Sequence, residues 1–172
     1  MDLTQWFTDQ LNSSTAGFIW SVEQVPSERR LLKPPKLLGE WSTARHVFHM
    51  LYYEQNAVVP SMKIWLDEEF ILDKGGYNED AAWSDDKDLE SMLADFRRVR
   101  AEQLEVIARF KEQQWHETRP TYFWGEVTLL WLVSKTFQHT AEHINDVMRM
   151  ALFWEAYERR EKEHPQDADD QA

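Results

Sequence analysis

The sequence predicts an all-α fold, a four-helix bundle, and three observations carry that expectation. Apolar residues recur at helical spacing over long stretches. Only five Gly and six Pro interrupt 172 residues, so turns are few and elements long. Nine Trp and nine Phe, within an apolar content of 42%, supply buried area for a single core in a chain of one-domain length.

The first helix is expected over about Leu3 to Val22, where Leu3, Trp6, Phe7, Leu11, Phe18 and Val22 roughly follow helical spacing. Pro26 and Pro34-Pro35 mark a connection. The second helix begins near Trp41, with Ser42 or Thr43 as cap, and continues through Val47, Met50, Leu51 and Val58 to about Leu66. Pro60 falls inside it and is expected to kink it or end it early. Residues 67–85 form an acidic connector with Gly75-Gly76, long enough to be a lid or an interface, with Tyr77 and Trp83 as its anchors. The third helix starts at 84–86 and carries Leu89, Met92, Leu93, Phe96, Val99, Leu104, Ile107 and Phe110. A further connector holds Trp115, Pro120 and Gly125, and the fourth helix runs from about Glu126 to Arg160. A single domain is thus expected over residues 1–160, with 161–172 as an acidic, disordered tail. Trp6, Trp20, Trp41, Trp65, Trp131 and Trp154 fall on these helices, and core packing is preferred for them over an aromatic pocket.

Composition removes several functional classes. The chain has no cysteine, which excludes disulfides, a thiolate nucleophile and a zinc-thiolate site. A formal net charge of -12 opposes a phosphate backbone, so no nucleic-acid partner is expected. Met1 to Leu11 lacks a basic segment followed by an apolar run, and the longest apolar stretch, Val127 to Val133, is too short to span a bilayer. A soluble, cytoplasmic protein without membrane contacts is the expectation.

Among six histidines, His164 lies in the tail and His116 in a connector. His139 and His143 stand i,i+4 on the fourth helix, which turns both imidazoles to one face. Two nitrogens so placed can share a divalent metal ion, but a further ligand must come from another helix, where His49 and His46 are available. The competing reading is a pair of ordinary surface or core histidines. Asp146, i+3 from His143, is either an acceptor for a ligand imidazole or a surface carboxylate. The run His139-Thr140-Ala141-Glu142-His143 matches H-x-x-E-H, with Glu142 as general base, but that pattern needs an acidic ligand well downstream and a different fold. A di-iron centre needs Glu-x-x-His pairs, and Thr43, His46, Thr136 and Thr140 occupy the positions where Glu would stand.

Trp41-Ser42-Thr43-Ala44-Arg45-His46-Val47-Phe48-His49-Met50 resembles the second-helix signature of the DinB-like superfamily, in which a Trp-Ser/Thr start is followed eight residues later by histidine. Phe137-Gln138-His139-Thr140-Ala141-Glu142-His143-Ile144 resembles that family's last-helix H-x-x-x-H. Order and separation agree over roughly Leu3 to Trp154. The resemblance implies a metal-binding four-helix bundle, often a homodimer, whose ligands fall on His49, His139 and His143. It implies nickel or zinc, with iron or manganese also compatible with three imidazoles. His46 lies about 60° around the helix from His49 and is assigned to the surroundings of the site or to the core.

Relatives in that family include thiol S-transferases that use bacillithiol or mycothiol. The function implied is activation of a low-molecular-weight thiol for attack on an electrophilic substrate, with Glu142, Tyr53 or Asp146 handling the proton. Tyr53 is i+4 from His49 and is either such a group or a packing aromatic, while Glu54 lies on a different face and is set aside as a ligand. Two alternatives stand beside this: hydrolysis through a metal-activated water, and a noncatalytic metal-binding stress-response module.

Overall fold

The computed structural model describes residues 2–70 and 76–164. Helix α1, Leu3–Gln24, opens at Asp2, whose carboxylate accepts the Gln5 N–H at 3.0 Å. It buries Phe7, Leu11, Phe18 and Val22. Helix α2, Thr43–Tyr53, is capped by Ser42, whose hydroxyl accepts the Arg45 N–H at 3.1 Å.

Pro60 does not end the second helix. After Tyr53 the chain makes a π-helical turn over Glu54–Val58, then continues as α3, Val59–Lys63, and a 3₁₀ turn, Ile64–Leu66. A proline has no N–H to donate and its ring crowds the carbonyl four residues back; widening the preceding turn relieves both problems. Asp67, at φ 60°, stops the segment by entering the left-handed region.

The connector contains a short helix that periodicity cannot reveal, α4, Glu79–Ala82, capped by Asn78. Residues 71–75, with Gly75, lie outside the described residues. Tyr77 packs 5.0 Å from the Tyr52 ring and Trp83 packs 5.2 Å from Phe48, so both expected anchors hold this segment to α2. Helix α5, Leu89–Ile107, starts a few residues later than expected because Asp88 takes the cap. The next connector folds into a hairpin of β1, Thr118–Thr121, and β2, Gly125–Thr128. Gly125, at φ 66°, turns the chain there. The hairpin takes residues 126–128 from the expected fourth helix, so α6 is Leu129–Glu163, capped by Thr128. At its far end α6 runs past Arg160, correcting the boundary drawn at Glu161. No breaker precedes Pro165, and Arg160 and Lys162 complement the dipole of the last turn. Residues 165–172 lie outside the described residues.

Helix α1 lies against α5 and α6, and α2 lies against the same two helices from the other side. This is an all-α bundle with one small hairpin. Its apolar interior forms two clusters. One is built around Phe18, Val22, Val47, Met50, Phe96, Val99, Val147 and Met150. The other is built around Phe7, Leu11, Val58, Met62, Val106, Ile107, Leu132 and Val133. Along each helix a polar layer separates them: Ser14 on α1, Glu54 on the π turn, Arg100 and Gln103 on α5, and Thr136, Thr140 and His143 on α6, all buried. Trp65 and Trp154 are buried, but Trp20 is 52% exposed, Trp131 42% and Trp6 38%. Those three are not core residues; each sits on the outward side of an amphipathic helix whose apolar stripe is carried by its neighbours. No helix among the described residues is long and apolar enough to cross a membrane.

Candidate metal centre

Three imidazoles meet at the polar layer. His49 Nε2 lies 3.1 Å from His139 Nε2, and His143 Nε2 lies 3.2 Å from the same atom. His49 comes from α2 and the other two from adjacent turns of α6, so one helix supplies the pair and its neighbour completes the set.

The outer nitrogens fix two of the three rings. His49 Nδ1 lies 2.7 Å from Glu79 Oε2. An ionised carboxylate only accepts, so His49 Nδ1 is the donor and Nε2 is the nitrogen that faces the cluster. Burial alone would raise the Glu79 carboxyl; the hydrogen bond and charge of His49, Arg45 at 3.0 Å and the Tyr77 hydroxyl outweigh it and hold the group below its ordinary range. His143 Nδ1 lies 2.8 Å from His46 Nδ1. His139 Nδ1 is buried and has no hydrogen-bond partner among the described residues. Burial first, then the neighbouring imidazoles, lowers His139 and His46 to about 3 and His143 to about 4. These three rings are therefore neutral at pH 7, the form in which imidazole ligates.

The donor set fits a first-row divalent ion. Metal–nitrogen bonds of about 2.0–2.1 Å leave tetrahedral ligand atoms roughly 3.3 Å apart, close to the separations in this cluster. Among the described residues no carboxylate or fourth imidazole joins the triad. A second grouping, His46, His143 and Asp146, lies on the other side of the His143 ring. Its 2.8 Å Nδ1–Nδ1 separation is that of a hydrogen bond between the two rings.

Trp41 lies beside the cluster, its ring centroid 4.9 Å from that of His49 and its plane within 3° of the His143 ring. Trp41, His46, His143, Asp146 and Arg149 line a cleft of about 530 Å³. The Tyr53 ring sits 4.4 Å from His139, and its phenol is raised by burial and by Glu54 and Glu142, which keeps it protonated. Asp146, raised by burial against the opposing charge of Arg149, borders the cleft rather than the triad. Glu142 is exposed and faces Lys135 at 3.7 Å, so the structure does not bring it to the imidazoles. His116 and His164 are both exposed and in neither histidine grouping.

Two contributors escape a reading of spacing. Glu79 lies on a connector, where no period links it to His49. Glu54, set aside as a ligand because it turns off the His49 face, stays outside the triad, but that other face is buried too: the carboxylate is fully buried and paired with Arg100 of α5. Glu79→Ala is expected to weaken divalent-metal affinity by about 10–100-fold with the helical content retained. Competition with a chromophoric chelator measures this, and an unchanged affinity would show that the carboxylate does not orient His49.

No match was found among curated proteins, and none among solved structures. A family model, that of the DinB superfamily, matches residues 10–147, a span that takes in most of α1, all of α2, the first half of α6 and all three converging imidazoles. On that match, which covers well over half of its length, the chain belongs to the DinB superfamily.

Proposed function

We propose that the protein is a metal-dependent thiol S-transferase, in which His49, His139 and His143 hold one divalent ion and a low-molecular-weight thiol is the sulfur donor. The observation that carries this reading is the convergence of three Nε2 atoms with no fourth described protein ligand, beside a cleft. A structural site is normally closed by four protein ligands, whereas three leave a position for a small molecule. When bound, the ion supplies Lewis acidity that lowers the pKa of a thiol or water joining it.

The chain contributes position and protons. Glu79 and His46 fix the rings of His49 and His143 from behind. Trp41 and Arg149 frame a cleft that borders His143 and His46. Tyr53, held protonated against His139, is placed to donate rather than to accept. With no cysteine in the chain, the sulfur that bonds to the electrophilic carbon must arrive with a cosubstrate.

The test is conjugation of a chromogenic electrophile by the metal-loaded protein, with a panel of small thiols present or absent and with or without chelator. Conjugation that requires both metal and thiol is expected. Turnover with metal but no thiol would instead support hydrolysis, and no turnover under any of these conditions would support a noncatalytic metal-binding module.

A further inference from the structure

We propose that Arg100 is a positioning residue for the metal centre: from α5 its guanidinium ties Glu54, on the π turn that follows the His49 helix, to Thr140, beside His139, and so sets the separation of the two ligand-bearing helices. The inference rests on the reading that the histidine triad holds a metal.

All three residues are buried, Glu54 and Thr140 at 0% exposure and Arg100 at 2%. Arg100 Nη2 donates to Glu54 Oε1 and, at 2.6 Å, to Thr140 Oγ1. Thr140 in turn donates its hydroxyl proton to the Thr136 carbonyl at 2.9 Å, which leaves its lone pairs for the guanidinium. Phe96 packs 5.3 Å from the guanidinium carbon and limits its swing. One cation on a helix without metal ligands thus bonds to both helices that carry them.

The location makes this tie matter. The triad lies in the polar layer between two apolar clusters, so interlocking apolar side chains do not set the spacing of α2 and α6 at that level. In a straight α-helix Glu54 would point about 140° away from His49. The helix is still α-helical there, the Glu54 N–H bonding the Met50 carbonyl, so the carboxylate keeps that direction and meets Arg100 of α5. A fully buried ion pair is seldom the most stable filling for such a space; what it supplies is directional, with fixed bond angles. Among the described residues Arg100 Nη1 and Nε and Glu54 Oε2 find no hydrogen-bond partner.

Cobalt(II) titration of the metal-free, full-length protein tests this, read as affinity and as the visible bands that report coordination geometry. Wild type and His139→Ala come first: equal binding would remove the metal reading itself. Glu54→Gln/Arg100→Met then deletes the tie without leaving a buried charge unpaired. It is expected to stay helical and to melt cooperatively, to bind cobalt about 10–100-fold more weakly and to show altered bands. Thr140→Val removes one arm and keeps the ion pair; a smaller loss with a shift in the bands is expected. Arg100→Lys is expected to recover melting behaviour but not the wild-type bands. Wild-type affinity and spectrum in the folded double variant would overturn the inference. If the double variant does not fold, Thr140→Val decides by the same two readouts.

Discussion

Purified His139→Ala protein is expected to carry far less divalent metal than wild type, and added metal is expected no longer to raise its melting temperature. His139 Nε2 is the atom to which both other ligand nitrogens are close, at 3.1 and 3.2 Å. Removing it leaves one donor on each helix. The loss should exceed the roughly 10–100-fold typical of outer-shell partners. Saturating an intact site at one hundred times Kd stabilises a fold by about 2.7 kcal/mol, a shift that thermal melts resolve in wild type and that should vanish in the variant. The metal-free variant should still fold. His139 is a neutral imidazole wedged among other imidazoles, with a buried Nδ1 that has no partner among the described residues, so its removal sacrifices little native bonding. Metal content equal to wild type, measured by elemental analysis, would mean that the converging rings are not a ligand set.

How much of this was legible in the sequence depends on whether a residue acts through a period. The His139–His143 pair, the Ser42 cap and the apolar stripes of α1, α5 and α6 follow from 3.6-residue geometry, and the structure places them accordingly. The position of His49 beside that pair required knowing which helices are neighbours; family resemblance supplied it and spacing alone did not. Glu79 was hidden because a connector has no period, although such a connector is where a functional segment is to be sought. The hairpin at 118–128 was hidden because its strands are four residues each and half-exposed, too short for alternation to register. Glu54 was rightly kept off the His49 face, but its burial was hidden, because spacing does not show that α5 brings Arg100 against that other face.

That buried carboxylate should reveal itself in the pH dependence of an Arg100→Met variant. Burial raises the Glu54 carboxyl from 4.5 to about 7, with Arg100 the opposing influence. Without the arginine only the raising effect remains, so the folded variant binds a proton that the unfolded chain has already released. The native state then holds more protons than the unfolded state above about pH 4.5, and stability must fall as pH rises. The slope is about 1.4 kcal/mol per pH unit until the folded pKa is reached. By neutral pH the loss approaches the roughly 3–5 kcal/mol expected when one partner of a buried pair is removed. Glu54→Gln/Arg100→Met has nothing to titrate at this position, and every other ionisable group is common to both proteins. The difference between the two profiles therefore isolates Glu54. Urea melts at pH 5, 6, 7 and 8 should show the single variant nearly as stable as the double at pH 5 and progressively weaker above it. Parallel profiles would mean that water reaches residue 54 once the guanidinium is gone, and that the layer between the two apolar clusters is not sealed.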